Sequence, residues 1–177
     1  MSFAIEFPVR TAHAAEPATT AAPGADGWFD GIPPDGSFRV RGPVAFQGFA
    51  QEDEKGPRGM QRTQGVRASQ PGAFDGITKY VASCLIDASD RRDEKVRIEE
   101  TLARWREQAD FRYRRPVTNG KLSGVEFEMS DPAKTLRLRV FAPAGRVCTL
   151  FVQWNPYAKP RDEDIERFLA SFALAKP

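Results

Sequence analysis

Hydrophobic and polar residues alternate along several short stretches of the chain, which is typical of β-strands with one buried face. The alternation predicts six strands, at residues 38–41, 77–86, 111–115, 124–129, 135–141 and 146–154, and a weaker one at 61–69. The segments between them, such as SQPGAFDG and VTNGKLSG, are rich in turn-forming residues. We therefore expect tight connections and antiparallel neighbours.

A helix is predicted between Asp93 and Ala109, because apolar residues recur there at helical intervals. The apolar stripe consists of Ile98, Leu102, Trp105 and Ala109. Two pairs of opposite charge four residues apart are expected on the exposed side. These pairs are Asp93 with Arg97 and Glu100 with Arg104. Either Ser89 or Asp90 is expected to cap the start of this helix.

A second helix is predicted to begin near Pro160 and to close the chain. Acidic residues at 162–164 occupy its first turn, where the helix dipole favours negative charge. The residues expected to face a core are Ile165, Phe168, Leu169 and Phe172. A row of strands with one inserted and one closing helix predicts an α+β fold, in which two main helices pack on an antiparallel sheet.

The N-terminal part of the chain has the composition of a linker. Residues 11–36 are rich in Ala, Pro, Thr and Gly, so we expect an extended tail over residues 1–27 and one domain over residues 28–177. SFAIEFPV at 2–9 echoes SFRVRGPV at 37–44, and it could form a strand of this sheet or bind another chain. AHA at 12–14 resembles a cleavage site without the apolar segment of a signal peptide, so export stays open.

The bulk composition narrows the function classes. The chain has 177 residues and a formal net charge of only +2, which is far from the basic balance of a dedicated nucleic-acid binder. It contains no run of 18 apolar residues, so we expect a soluble chain without a transmembrane segment. Cys84 and Cys148 lie in apolar runs, and buried thiols are favoured there over a disulfide or a reactive site.

The inventory of catalytic groups is small. His13 is the only histidine and lies in the tail, which excludes histidine-based triads. The two cysteines lie far apart without a CxxC motif, and no glycine-rich phosphate loop occurs. We therefore expect no catalytic residues, no metal site and no cofactor, and the chain is predicted not to be an enzyme.

Two glutamates, Glu126 and Glu128, point to the same face of one predicted strand. Paired carboxylates can perform acid/base chemistry. The next strand places Arg137 and Arg139 at matching positions, however, and cross-strand ion pairs are the favoured interpretation.

Three predicted strands share the pattern FRVR, FRYR and LRLR. Arginines at alternate positions would point away from a shared core. They are Arg39 with Arg41, Arg112 with Arg114, and Arg137 with Arg139. The same alternation places Phe111 and Tyr113 toward the core, which argues against base stacking and makes nucleic acid a poor candidate partner. Arg115 breaks the alternation just before Pro116.

The order of these elements resembles the PsbP-like superfamily, whose fold is shared by the photosystem II subunit PsbP and a eukaryotic Ran-binding protein. The resemblance covers residues 28–174 and is carried by WFDGIPPDGSFRVRGPV, YVASCLI, RLRVFAPAGRVCTLFV and ERFLASFAL. It implies an α/β/α sandwich. Members of the superfamily are mostly binding or accessory proteins with unrelated partners, so the resemblance implies a role of that class but no particular partner.

Two functional hypotheses follow. The first is an accessory or scaffold subunit that docks on a larger protein assembly, for which an extrinsic subunit of a photosynthetic or other membrane complex is one instance implied by the resemblance. Candidate partner-binding residues are Trp28, Phe29, Trp154, Tyr157, Arg112, Arg114 and Arg115. The alternative is a binder of nucleic acid or acidic lipid headgroups through Arg112, Arg114, Arg115, Arg137 and Arg139. A cytoplasmic location or one peripheral to a membrane is favoured, export stays open if the true start lies upstream, and self-association stays open.

Overall fold

The computed structural model describes residues 22–52, 61–72, 76–107 and 111–175, and these contain two helices and ten strands. The strands are β1 (Phe29–Gly31), β2 (Phe38–Gly42), β3 (Gln47–Glu52), β4 (Arg62–Pro71), β5 (Ile77–Ile86), β6 (Phe111–Asn119), β7 (Leu122–Ser130), β8 (Thr135–Phe141), β9 (Arg146–Trp154) and β10 (Ala173–Leu174). The helices are α1 (Glu94–Arg106) and α2 (Asp162–Ala170). The predicted α+β class is confirmed at this level.

Seven strands form one antiparallel sheet in the order β3-β4-β5-β9-β8-β7-β6. The two helices cover opposite faces of this sheet, as alternate residues of β9 demonstrate. Leu150 and Val152 belong to the same apolar cluster as Phe168 of α2. Phe151, which lies between them, belongs to the cluster of Leu102 on α1. Each face of the sheet therefore has its own apolar core.

A second, three-stranded sheet has the order β1-β2-β10 and lies on the α2 side. Phe38 of β2 packs against Phe172, with ring centroids 5.4 Å apart. The expectation that FRVR belongs to the same sheet as the other arginine-bearing strands is wrong, because β2 pairs with β1 and β10. Arg39 and Arg41 instead form ion pairs with Asp30 in the neighbouring strand.

The start of α1 differs from the prediction. Asp93 is its N-cap, and the side chain of Asp93 accepts a hydrogen bond from the backbone N–H of Lys95 at 2.8 Å. The residue therefore caps the helix and does not pair with Arg97. Arg97 itself is only 4% exposed, so its predicted place on the wet face is also wrong. Glu100 forms an ion pair with Arg92, which precedes the helix.

The two cysteines form a disulfide, which corrects the prediction of free thiols. Cys84 on β5 lies directly opposite Cys148 on β9, and the two are bonded. Their apolar neighbours indicated burial, and both side chains are indeed buried. The pairing of β5 with β9 brings them together across 64 residues of sequence, and the sequence alone did not predict that strand order.

Several predictions fall on residues that the structure does not describe. They concern SFAIEFPV, His13 and most of the expected tail. The last part of the tail, residues 22–27, is described, and Asp26 within it contacts the domain through Arg41. No helix in the described ranges is long and apolar enough to cross a membrane.

Candidate functional site

An irregularity in the pairing of β6 with β7 decides where the arginines of residues 111–116, FRYRRP, point. Phe111 lies opposite Met129, but Tyr113 lies opposite Glu128, so one extra residue enters β6 between them. Such a bulge reverses the alternation of side chains beyond it. The residues that follow therefore do not continue the face predicted from the sequence.

Arg114 and Arg115 consequently lie on opposite faces of the sheet. Arg114 pairs with Phe127 in register and forms an ion pair with Glu99 of α1. Arg115 pairs with Glu126 and points to the α2 side. The expectation that Arg112 and Arg114 form one outward column is wrong, because Arg112 lies 3.5 Å from Glu128, whereas Arg114 contacts Glu99.

Glu126 is the centre of the arginine cluster on the α2 side, and its side chain is completely buried. Its Oε1 atom accepts hydrogen bonds from Arg115 at 2.7 Å and from Arg137 at 2.9 Å. Its Oε2 atom accepts one from Nε of Arg139 at 2.6 Å. One carboxylate thus holds three guanidinium groups from strands β6 and β8.

A second carboxylate comes from α2. Glu166 accepts a hydrogen bond from Nη2 of Arg139 at 2.6 Å and one from Arg115 at 3.2 Å, and it also contacts Arg137. The set of Arg115, Glu126, Arg137, Arg139 and Glu166 is called the Glu126 network below. It carries three positive and two negative charges, and it ties α2 to the sheet.

The predicted cross-strand pairing of Glu126 and Glu128 with arginines is confirmed at the level of the strand register. Glu126 lies opposite Arg139, and Glu128 lies opposite Arg137. The burial of these side chains was not predicted. It arises because a helix covers part of this face, so that Arg139 is buried and Arg137 nearly so. Sequence reasoning also missed Glu166, since a polar residue at a helical position next to the apolar stripe looks like an ordinary solvated acid.

The electrostatics of Glu126 bear on the acid/base hypothesis. Burial alone would raise the pKa of Glu126, but hydrogen bonds and charge from Arg139 and Arg137 outweigh burial and lower it. A general acid near neutral pH needs a raised carboxylate pKa instead. Glu126 is therefore held as a carboxylate, and the geometry assigns it to organising arginines.

An open groove of about 810 Å³ runs between α2 and the edge of the large sheet at β6 to β8. Its lining carries both signs of charge and consists of Arg114, Arg115, Glu128, Arg137, Asp162, Glu163 and Glu166. A smaller recess of about 190 Å³ shares Glu128, Arg137 and Asp162 with it and adds Arg112, Trp154 and Lys159. The two recesses together are called the charged groove.

The candidate aromatic anchors divide into two groups. Trp28 and Trp154 are each 6% exposed and pack within their own domain, so they do not have the exposure expected of anchors. The guanidinium of Arg167 lies over the Trp28 ring, 4.0 Å from its centroid. Phe29 is half-buried, whereas Tyr157 is 67% exposed.

The aromatics of FRYRRP were predicted to face the core. Phe111 does so: its ring lies 4.5 Å from the ring of Phe127, between centroids, in the cluster under α1. The side chain of Tyr113 lies outside the described part of the structure. In that part, no three His, Cys, Asp or Glu side chains are grouped as metal ligands would be.

Comparison with known proteins adds no relative. No family model matches the chain, and no curated protein is significantly similar to it. The resemblance to the PsbP-like superfamily therefore stays a prediction from the order of elements.

Proposed function

We propose that this chain is a non-enzymatic accessory or scaffold subunit that docks on a larger protein assembly through the charged groove. The observation that carries the proposal is the fully buried Glu126, which holds Arg115 and Arg137 in the lining of an open groove and also binds the buried Arg139. Side chains held in place before binding lose less conformational entropy when a partner arrives. Such rigidity favours recognition of a folded or extended protein surface.

The groove matches a protein partner better than a polyanion. Arg115 and Arg137 both contact Glu126 and Glu166, so their charge is largely compensated. Asp162 and Glu163 add negative charge at the rim. Nucleic acid and acidic lipid headgroups require an uncompensated positive surface. A groove lined by charges of both signs instead complements a partner surface that also carries charges of both signs.

The resemblance to the PsbP-like superfamily supports the same class of role. Within it, an extrinsic subunit of a photosynthetic or other membrane complex is the instance that we propose. Arg112 and Arg115 are the arginines of the groove with the most exposed side chains, at 62% and 51%, and would be the first to meet a partner. Tyr157 is 67% exposed and lies in the sequence between Trp154 and Lys159, which both line the smaller recess, so it would extend the contact.

The test compares recovery of a partner by the wild type and by a variant that changes the groove without touching the Glu126 network. Asp162→Asn combined with Glu163→Gln removes two rim charges. Asp35→Asn combined with Glu107→Gln removes two exposed charges outside the groove and is the matched control. Each protein is isolated from its native source at low salt, and its partners are identified by mass spectrometry.

We expect one defined protein partner with the wild type and the control, and a loss of about tenfold or more with the groove variant, since each buried charged contact is worth more than 1 kcal/mol. A wild-type chain that is recovered alone contradicts the proposal. So does a partner that the groove variant retains fully. Binding to acidic vesicles or RNA that collapses with salt would favour the anionic-ligand alternative instead.

A further inference from the structure

A second, partly enclosed cavity lies beside α1, at the end of the large sheet where β5 stops and β9 begins. Its volume is about 100 Å³, and it shares no lining residue with the larger recess of the charged groove. Four arginines line it together with three carboxylates, so its walls carry a net positive charge. The charged residues are Arg92, Arg97, Arg104, Arg146, Asp87, Asp90 and Glu100.

The carboxylates of this cavity are already engaged. Asp90 and Glu100 both form ion pairs with Arg92. Asp87 accepts hydrogen bonds from the side chain of Ser89 at 2.6 Å and from Gln61 at 3.2 Å. The pKa values of Asp87 and Asp90 are lowered, mainly by hydrogen bonds from Ser89 and from Arg92 respectively, so both acids stay ionised. Arg92 is thus the arginine whose charge Asp90 and Glu100 neutralise.

The other three arginines are not neutralised in this way. Arg97 is 96% buried, and its two terminal nitrogens donate to the backbone carbonyls of Arg92 and Ala142. Its Nε has no hydrogen-bond partner in the described part of the chain. Arg104 and Arg146 make no side-chain ion pair or hydrogen bond with any described residue. A buried guanidinium with an unused donor is costly unless something satisfies it.

We propose that this cavity binds a small tetrahedral oxyanion, with phosphate or a terminal phosphoryl group as the ligand. Guanidinium groups are the preferred partners of phosphate oxygens, because their N–H donors are planar and permanently charged. Arg97 lines the cavity and has an unused donor at Nε, and Arg104 and Arg146 supply charge at the walls. The proposal does not depend on the charged groove.

The size of the cavity restricts the ligand. Sites for drug-sized molecules have volumes of about 300–1,000 Å³, which is several times the volume available here. One phosphoryl or sulfate group fits, whereas the base and sugar of a nucleotide would have to remain outside. The ligand is therefore a free ion or the phosphoryl end of a small phosphomonoester.

The site also has a structural consequence. Arg97 links α1 to the chain just after β8 through the carbonyl of Ala142, and Arg146 begins β9. An anion bound between Arg97, Arg104 and Arg146 would join helix and sheet through charge-assisted hydrogen bonds. Binding is therefore expected to stabilise the folded protein as well as to occupy the cavity.

The test is titration calorimetry of the full chain with inorganic phosphate at pH 7.5, against sodium chloride of matched ionic strength. Arg104→Gln and Arg146→Gln each remove one wall charge. Arg97 is left unchanged because its substitution would also remove the two carbonyl bonds. Arg106→Gln is the matched control, since Arg106 lies on the same helix but does not line the cavity. Glycerol 3-phosphate is titrated in parallel.

We expect saturable binding of one phosphate per chain by the wild type and by Arg106→Gln. Arg104→Gln and Arg146→Gln should each bind about tenfold more weakly, because each loses a charge-assisted hydrogen bond to the anion. Equal binding of glycerol 3-phosphate assigns the site to a phosphoryl end, and its failure to bind assigns the site to the free ion. No saturable binding beyond chloride, or equal weakening in all three variants, overturns the proposal.

Discussion

Glu126 on β7 and Arg139 on β8 lie directly opposite each other, and a 2.6 Å hydrogen bond joins them beneath α2. Both side chains are buried, so the pair is part of the interior and not of the outer surface of the sheet. Arg115 and Arg137 reach the same carboxylate from the rim of the charged groove. The stability of the interior and the shape of the groove therefore depend on one residue.

Replacing Glu126 by glutamine should destabilise the fold. The amide keeps the shape of the side chain but leaves three arginines with Glu166 as their remaining carboxylate in the network. Removing one partner of a buried ion pair costs about 3 kcal/mol or more. Urea unfolding followed by tryptophan fluorescence measures the loss. Glu128→Gln is the control, because the contact of Glu128 with the exposed Arg112 at 3.5 Å should be worth less than about 1 kcal/mol. Equal losses in the two variants would contradict this assignment.

The lowered pKa of Glu126 predicts a pH dependence with a definite sign. In the folded state the arginines keep Glu126 ionised below its usual value of 4.5, whereas the unfolded chain takes up a proton near that value. The unfolded state therefore binds more protons in this range, and the free energy of unfolding must fall as the pH is lowered from about 5. Urea titrations at pH 7, 5, 4 and 3 should show this decline.

The same series on Glu126→Gln provides the comparison. Its decline should be shallower but not absent, since Asp90 also has a lowered pKa through its hydrogen bond with Arg92. A decline as steep as that of the wild type would mean that Glu126 does not titrate differently in the folded and unfolded states.

Much of the large sheet could be predicted from the sequence. β5, β8 and β9 begin and end at the predicted residues, because each combines alternation with β-branched or aromatic residues and is bounded by turn residues. The pairing of Glu126 with Arg139 and of Glu128 with Arg137 could be predicted because the short connection SDPAK joins β7 to β8. β3 was missed because QGFAQE alternates weakly and lies beside a run of charged residues.

The candidate site was less predictable, for a local and a long-range reason. Locally, the bulge in β6 moves Arg115 onto the face of Glu126. In the sequence, the only sign of this was that Arg115 breaks the alternation of polar and apolar residues. At long range, Glu166 reaches the network because α2 packs over the sheet, which no periodicity reveals. Strand order likewise decided the state of Cys84, since β5 pairs with β4 on one side and with the distant β9 on the other, and β9 carries Cys148.

The disulfide between Cys84 and Cys148 should contribute substantially to stability. It closes a separation of 64 residues, for which the loss of chain entropy in the unfolded state corresponds to about 4 kcal/mol. Cys84→Ala combined with Cys148→Ala should lower the free energy of unfolding by about 2 to 4 kcal/mol. Alanine is chosen because a buried hydroxyl would add its own cost.

Reductant supplies the control for this experiment. Unfolding in dithiothreitol should bring the wild type to the stability of the double variant and leave the variant unchanged. Thiol titration of the unreduced protein in denaturant should find no free thiol. Two titratable thiols per chain would show that the cysteines are not bonded.

Asp26 should hold the segment before β1 against the domain. Its carboxylate accepts hydrogen bonds from Arg41 of β2 at 2.7 Å and from Arg167 of α2, and Arg167 lies over the ring of Trp28. These contacts lower the pKa of Asp26, chiefly through the hydrogen bond from Arg41. The segment is therefore anchored by one exposed acid that joins the small sheet to α2.

Asp26→Asn should release this anchor while leaving the main core intact, because the amide cannot accept two charged partners as a carboxylate does. Amide hydrogen exchange resolved by mass spectrometry should show faster exchange over residues 24–29 and unchanged protection of β5 and β9. Asp35→Asn is the control, since Asp35 accepts a hydrogen bond from the backbone of Ser37 and belongs to the turn that precedes β2. Unchanged exchange at Trp28 in Asp26→Asn would mean that stacking on Arg167 and burial of the indole hold the segment without the ion pair.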